Sequence, residues 1–293
     1  MATYTNLDDE IFAQNALQGF VATLAPFAAF SRNFSPEPLT RKGNDVLVPL
    51  IGSLTATTFS AYNICGGSAS VITVSINKHK HVPVGQNDLT AASTSHANLE
   101  SFGLQAGAAL GLLVFQDVFT LVTTGNFSLA TAVSVVDFGI AQIRAGRLML
   151  SANKVPVMGR SMILDVNPFD NLLGISNFIQ VNLAGTNETL RDARIGRVLG
   201  LDVYETNAMT GTNSVMGIIG HPNAMAVAAR YLQPQEGNTY ADAHPLTDPD
   251  TGLTVGFRRH YDNNTGTAYV NIECNYGYAV GISNGARIFQ RLN

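Results

Sequence analysis

The sequence predicts an α+β fold, and three stretches point there. Ser95–Val122 has the spacing of one long helix, Val71–Lys78 alternates like a strand, and Thr254–Tyr261 with Thr267–Asn275 reads as a long hairpin. In the helix, Leu99, Phe102, Ala106, Ala109, Leu113 and Phe119/Val122 follow a spacing near 3.6 residues. Ser95 can cap its start, and Gly125 follows its end. Gly103, Gly107 and Gly111 recur every fourth residue and so share one face. Each interior Gly costs about 1 kcal/mol relative to Ala, so the stripe calls for close approach of another backbone. A membrane helix pair supplies that, as does a helix lying flat on a sheet or a neighbouring subunit. Gln105, Gln116 and Asp117 interrupt the apolar run, which argues against a membrane span.

The remaining elements follow in order. Asn6 can cap a short helix, with Asp8, Asp9 and Glu10 at its positive end. The apolar run continues to Phe30, broken by Pro26, and reads as an arm that packs on something else. Pro36 and Pro38 force extension. Asp45–Leu50 is a short strand, and Gly66-Gly67 is a turn. Val71–Lys78 puts Ile72, Val74 and Ile76 on one face and ends by Pro83. Leu39–Val84 is thus a two-stranded ribbon with a polar tip. Such a ribbon is marginal alone and should lie on another surface, most simply a neighbouring subunit.

Beyond the long helix, Ser128 caps a second helix with Val133, Val136, Ile140 and Ile143 inward and Arg144 and Arg147 near its negative end. Val155–Val166 is a strand region, Pro168–Leu173 a helical turn, and Phe178–Leu183 a short strand. Arg197–Asn207 is a strand with Gly200 as a bulge or close contact. Pro222 opens a helix running to Leu232, and Pro234 ends it. Gln235–Asp250 is a loop of turn formers. The hairpin turns about Asp262–Gly266, and Ala268, Val270, Ile272 and Cys274 share one face of its second strand. Tyr278–Gly281 and Ala286–Phe289 are short closing strands.

Composition narrows the function. The 293 residues allow one large or two modest domains. A net charge of −4 argues against a broad basic surface for nucleic acid. Only 13% of residues are charged, against roughly 25% in an ordinary soluble domain. Such a chain hides much of its surface against copies of itself, or belongs to an oligomeric enzyme with a large interface. Two cysteines, Cys65 and Cys274, make neither a disulfide framework nor a zinc set and read as reduced thiols. Asp8, Asp9 and Glu10 stand where a secretory signal wants positive charge.

No familiar catalytic constellation is visible. G-x-x-x-x-G-K-[ST], a strand-borne G-x-G-x-x-G, G-x-S-x-G and H-E-x-x-H are all absent. In Lys78-His79-Lys80-His81, strand alternation sends both histidines one way and both lysines the other. Two histidines on one face suit a metal, but no third ligand stands at fixed spacing, and a solvated or interface-facing strand end is the simpler reading. Asp248-Pro249-Asp250 pairs carboxylates on a turn, where Asp is an ordinary turn former. Arg258-Arg259-His260 could touch phosphate, but a cross-strand or intersubunit pair with an acid such as Glu273 is more ordinary.

The run Ile195–Asn207, followed by Gly220-His221-Pro222 and Asn223–Arg230, resembles the major capsid (coat) proteins of tailed double-stranded DNA bacteriophages. Arg41-Lys42-Gly43-Asn44-Asp45-Val46 before a strand, the strand through Val71–His81 before the long helix, and Asn275-Tyr276-Gly277 before Arg287 are similar too. The resemblance spans about Leu7 to Phe289. It implies the fold that these phages share with herpesvirus capsid proteins and encapsulin compartments. Its parts would be an N-terminal arm (1–38), an extended β loop (39–90), a peripheral domain with the spine helix and long hairpin (91–126 and 250–277), and an axial domain (127–249 and 278–293).

The function so implied is structural: pentamers and hexamers of an icosahedral shell around double-stranded DNA, held without sequence-specific binding. The virion is the expected location and the host bacterial cytoplasm the place of assembly. A portal protein is an expected partner, with a separate scaffolding protein and decoration proteins as further ones. No membrane, cofactor, metal or catalysis is expected. Few residues precede the first strand, so no long scaffolding segment is expected to be fused there. Some relatives cross-link through a loop lysine; Lys78 and Lys80 lie in that loop, but no such chemistry is assigned to them. Arg41, Lys42, Lys78, His79, Lys80, His81, Arg258 and Arg259 are candidate inter-subunit contacts, and Gly103, Gly107 and Gly111 the close helix packing. Two rivals stand beside this: an encapsulin-type compartment, and an oligomeric metal-dependent hydrolase using His79 and His81.

Overall fold

The computed structural model describes residues 5–24, 26–33, 45–51, 58–59, 69–88, 96–175, 195–209, 214–234, 242–248 and 251–292. Its frame is a pair of helices laid on a sheet. Helix α1, Thr5–Leu24, is not short: it runs twenty residues and packs lengthwise on α2, His96–Phe119. The glycine stripe marks the contact. A Cβ on Gly107 would stand 1.8 Å from the Ala16 carbonyl oxygen, and one on Gly103 2.7 Å from that of Phe12. Gly19 of α1 meets the Leu104 carbonyl in the same way, at 2.2 Å. The partner of the stripe is therefore the arm of the same chain, rather than a sheet or a second subunit.

That contact sets which face of α2 turns inward. Ala106, Leu110, Val114 and Val118 are buried beside the glycines, whereas Phe102 and Leu113, expected inside, are exposed. Small residues let the helices approach, so the glycines and not the largest apolar side chains define the seam. By length and composition Ser101–Phe119 could cross a membrane, but half of that window is buried inside the protein.

The helix pair covers the first sheet, ordered β1 (Ser31–Asn33), β10 (Met225–Ala229), β13 (Thr267–Val280), β12 (Thr254–Asp262), β11 (Asp242–Thr247). β4 (Lys78–Asn87) lies along the other side of β13. Phe12 of α1 meets Phe257 of β12, ring centroids 6.5 Å apart. Several elements differ from the sequence reading here. Pro83 does not end its strand: β4 is an edge strand, where a missing N–H leaves no ladder bond unmade. After Pro222 only a 3-10 turn forms, Pro222–Ala224, and Met225–Ala229 is strand. Its Met-Ala-Val-Ala-Ala run would suit a helix, but all five residues are buried between β1 and β13, and pairing on both sides overrides propensity. Tyr278–Val280 continues β13 instead of forming a new strand, and β11 lies inside the expected 235–250 loop.

The second sheet runs β5 (Leu129–Val133), β14 (Ala286–Arg291), β9 (Val215–Gly220), β6 (Ser161–Asp165), β8 (Leu201–Thr206), β7 (Arg197–Val198). The helix expected from Ser128 is replaced at its start by β5 and a 3-10 turn, Val135–Asp137; helix α3 spans only Ile140–Ala152. Val133, Val135 and Val136 are β-branched, and β5 pairs in parallel with β14. Helix α4, Val166–Leu173, follows β6 directly. Gly200 is not a bulge. Leu199 and Gly200, with φ of 51° and 80°, form a two-residue turn that pairs Val198 with Leu201. β6 is buried throughout because it is covered on both faces: Met162 and Leu164 pack under α3 and α4, and Ile163 faces the helix-pair core. The strand expected at Phe178–Leu183 lies outside the described residues.

A ribbon of β2 (Asp45–Ile51) and β3 (Ala69–Ser75) completes the description. Val46, Val48, Val74 and Ile76 pack on Ala226 and Ala228, so the ribbon's base rests on its own chain rather than on a neighbour. Gly277 permits this, since a Cβ there would lie 2.1 Å from the Ser75 carbonyl oxygen. Leu47 and Val71 on the opposite face are exposed.

Two outcomes are expected. Gly107→Ala forces the helices apart and costs at least about 2 kcal/mol in chemical denaturation, whereas Gly196→Ala, with no atom within 4 Å of the new Cβ, stays within about 0.5 kcal/mol. His221 accepts a hydrogen bond from the Asn223 N–H at 3.3 Å, and burial, then the charge of Arg160, hold its pKa below the usual 6.5. The unfolded chain therefore takes up the proton more readily, and stability falls as pH drops below about 6.5. The wild-type thermal midpoint should fall over that range, and His221→Asn should flatten the profile.

Candidate functional site

The charged residues of interest gather on both faces of the β4–β13–β12 strip. Strand pairing sets which residues share a face. Glu273 stands opposite His81 on β4 and Gly256 on β12. On that face His79 Nε2 lies 3.0 Å from Glu273 Oε2, and Arg258 Nε lies 2.6 Å from Glu273 Oε1. The second contact lacks hydrogen-bond alignment and acts as charge pairing. Arg258 also donates from Nη2 to the Leu232 carbonyl at 2.6 Å. Glu273 is buried, so the arginine beside it is the stronger partner; His79 is half exposed and its share is screened. The acid expected for Arg258 is thus Glu273, within the chain.

The opposite face belongs to the lysines. Lys80 Nζ stands 3.7 Å from Asp117 Oδ2 of α2, and the Tyr276 hydroxyl donates to the same oxygen at 2.7 Å. Burial first, then the bond to Asp117, raise the Tyr276 pKa well beyond its usual value, so it stays a donor. Asp117 explains the polar interruption of the helix: it ties α2 to β13 and β4. Cys274 is enclosed beside it, its thiol pushed up to about 12 by burial and then by Glu273, which makes it unreactive.

The candidates therefore separate. Lys80 and Arg258 make ion pairs inside the chain, His79 makes a hydrogen-bond contact with Glu273, and the His81 ring lies tilted beside that of His79, centroids 6.4 Å apart. Lys78 faces the same side as Lys80, opposite Tyr276. Arg259 lies on β12 opposite Val270 and Asp242. Arg41, Lys42 and Cys65 lie outside the described residues. Among the described residues no three His, Cys, Asp or Glu side chains gather as a metal set. Asp248 is fully buried and its carboxylate accepts from Thr251, as a turn former does. Sequence reasoning missed Asp117, Tyr276, Ala16 and Gly19. The only signals for them were a carboxylate in an apolar helix and a small-residue spacing in the arm.

No family model matches the sequence, and no curated protein matches it. Solved structures do. A structure from Mycobacterium phage Che8 is 18% identical over 89% of each chain, with a TM-score of 0.60. The capsid structure of the cyanophage P-SCSP1u is 13% identical over 90% of this chain and 87% of its own, with a TM-score of 0.62. The mature capsid of bacteriophage PhiM1 is 11% identical over 90% and 86%, with a TM-score of 0.57. This is the phage capsid fold. At such low identity the likeness lies in the arrangement of elements rather than in shared side chains.

Glu273→Gln removes the buried charge that Arg258 faces and should cost roughly 3 kcal/mol in chemical denaturation. His79→Ala should cost less than about 1 kcal/mol.

Proposed function

We propose that this chain is the major capsid subunit of a tailed double-stranded DNA phage. It assembles with itself into the pentamers and hexamers of a closed icosahedral shell. The fold likeness over about nine-tenths of the chain carries the reading, because two of those structures are phage capsids. The chain's own features agree with it. Few residues are charged, and large apolar side chains such as Phe102, Leu148, Met158 and Val136 stand exposed. Shell stability then comes from many summed apolar and ionic contacts between quasi-equivalent copies. A net charge of −4 keeps the subunit from clamping the DNA.

The four-part division is proposed on the strand order. Helix α1 forms the arm, the first sheet with α2 the peripheral part, the second sheet with α3 and α4 the axial part, and β2–β3 the base of the extended loop. Relative to the sequence boundaries, β10 and β11 join the peripheral part and β14 closes the axial one. The exposed Leu47 and Val71 face of the ribbon meets a neighbouring subunit. The virion is the location, with assembly in the bacterial cytoplasm. A portal protein, a separate scaffolding protein and decoration proteins are the partners that this reading brings. An encapsulin-type compartment would share the fold; the phage sources of the similar structures favour the phage reading.

The chain expressed alone or with its neighbouring phage genes should give closed shells of uniform diameter in electron micrographs. Small discrete oligomers at every concentration would defeat the reading. Shells that enclose a co-encoded enzyme instead of DNA would transfer it to the encapsulin class.

A further inference from the structure

The second sheet carries a surface that the described residues leave uncovered. From Phe138 through Leu164 there is no Asp or Glu, but there are Arg144, Arg147, Lys154 and Arg160. On α3, Ile143, Gly146 and Leu150 face the sheet. Arg144, Arg147 and Leu148 face outward and line an open groove with Ala141, Ala145 and Ser151. None of Arg144, Arg147 and Lys154 makes an ion pair among the described residues. Leu148 is 70% exposed, and the turn after α3 presents Val157 at 61% and Met158 at 85%.

That turn is rigid before any partner arrives. Arg160 is buried and spends its guanidinium on the turn itself. Its Nη2 donates to the Val155 carbonyl at 2.6 Å, Nε to the Pro156 carbonyl at 2.8 Å, and Nη1 to Ser151 Oγ at 3.0 Å. Among the described residues Arg160 has no acid partner, and a buried arginine so placed is a costly way to shape a turn whose apolar tip, Val157 and Met158, stands in solvent. A pre-shaped contact loses little ordering entropy on binding, which gives the arrangement a use.

The same layer carries a complementary patch, in the turn before α3 and on α4. Val136 is 82% exposed in the 3-10 turn before α3, next to the exposed Asp137. Asn171 Nδ2 of α4 donates to the Val135 carbonyl at 2.5 Å, which holds α4 against that turn, with Asp170 and Val166 exposed on it. One patch is thus cationic and apolar, the other acidic and apolar. Two different patches of one molecule that complement each other make a head-to-tail contact between copies, and such a contact closes into a ring when its rotation permits.

We propose that the Arg144–Arg147–Leu148–Met158 face docks on the Val136–Asp137–Asp170 face of a second copy of this chain. The exposed apolar side chains favour protein over nucleic acid, whose phosphates would use the arginines but not Leu148 or Met158. The inference rests on the shell reading and names one contact within it.

Charge reversal tests the pairing. Arg144→Glu/Arg147→Glu and Asp137→Arg/Asp170→Arg should each cut the yield of sedimenting shells at least about tenfold, because like charges then meet across the contact. All four changes together should restore it. Each variant should keep the wild-type circular dichroism, since these side chains point outward, and Met158→Ser supplies a charge-neutral check that should also lower the yield. Unchanged yields from both charge pairs would overturn the proposal, as would failure of the fourfold variant to recover while still folded. Normal shells that hold less DNA after Arg144→Glu/Arg147→Glu would also overturn it and assign the face to nucleic acid. Wild type run in parallel separates the two levels. If wild type forms no shells, the shell reading fails and this contact with it; if wild-type shells form and the variants behave alike, only the contact fails.

Discussion

Everything in this molecule is arranged around the closeness of two helix backbones. α1 and α2 approach until carbonyls of one sit where side chains of the other would begin, at Gly103, Gly107 and Gly19. Glycine in a helix is intrinsically unfavourable, so the contact persists only because tight packing along some twenty residues more than offsets it. Once this seam is fixed, the rest follows. Phe12, Phe20 and Leu110 close the core above β12 and β13, and Asp117 at the far end of α2 is delivered to Tyr276 and Lys80. The apolar side chains on the outer face of α2 are left in solvent as a by-product of burying the glycines.

This explains which parts were legible in the sequence. Period and punctuation were read correctly where local chemistry and tertiary context agree. The hairpin about Asp262–Gly266 formed because the Asp262 carboxylate accepts from Asn264 and Thr265 within the turn. The glycine spacing announced a close approach but could not say to what, since its partner lies some ninety residues earlier in the chain. The apolar face was assigned to the bulkiest residues, Phe102 and Leu113, and steric closeness selected the smallest instead. Met225–Ala229 and the stretch after Ser128 failed for a related reason. In both, ladder partners that no local window contains decided the outcome, and at Met225–Ala229 they overruled a helix-like composition.

The electrostatics show the same division. Glu273 could be named as a partner for the β12 arginines because cross-strand pairing needs only a hairpin register. Asp117 could not be so named, because its neighbours come from a helix and two strands in separate parts of the chain. A scarcity of charge made each remaining ion conspicuous: several are consumed in tying α2, β4 and β12 to β13, and those of α3 are not consumed at all.

Pro83 gives β4 a further significance. β4 is the outermost strand of its strip, and an open strand margin invites annexation by any extended segment nearby. A proline in mid-margin removes one donor from that template and, with the charged Lys78 and Lys80 before it, blunts ladder growth. Copies that met along a bare margin of this kind could zipper into fibrils. Here the margin carries a residue that refuses the next rung, so the backbones of colliding copies stay separate.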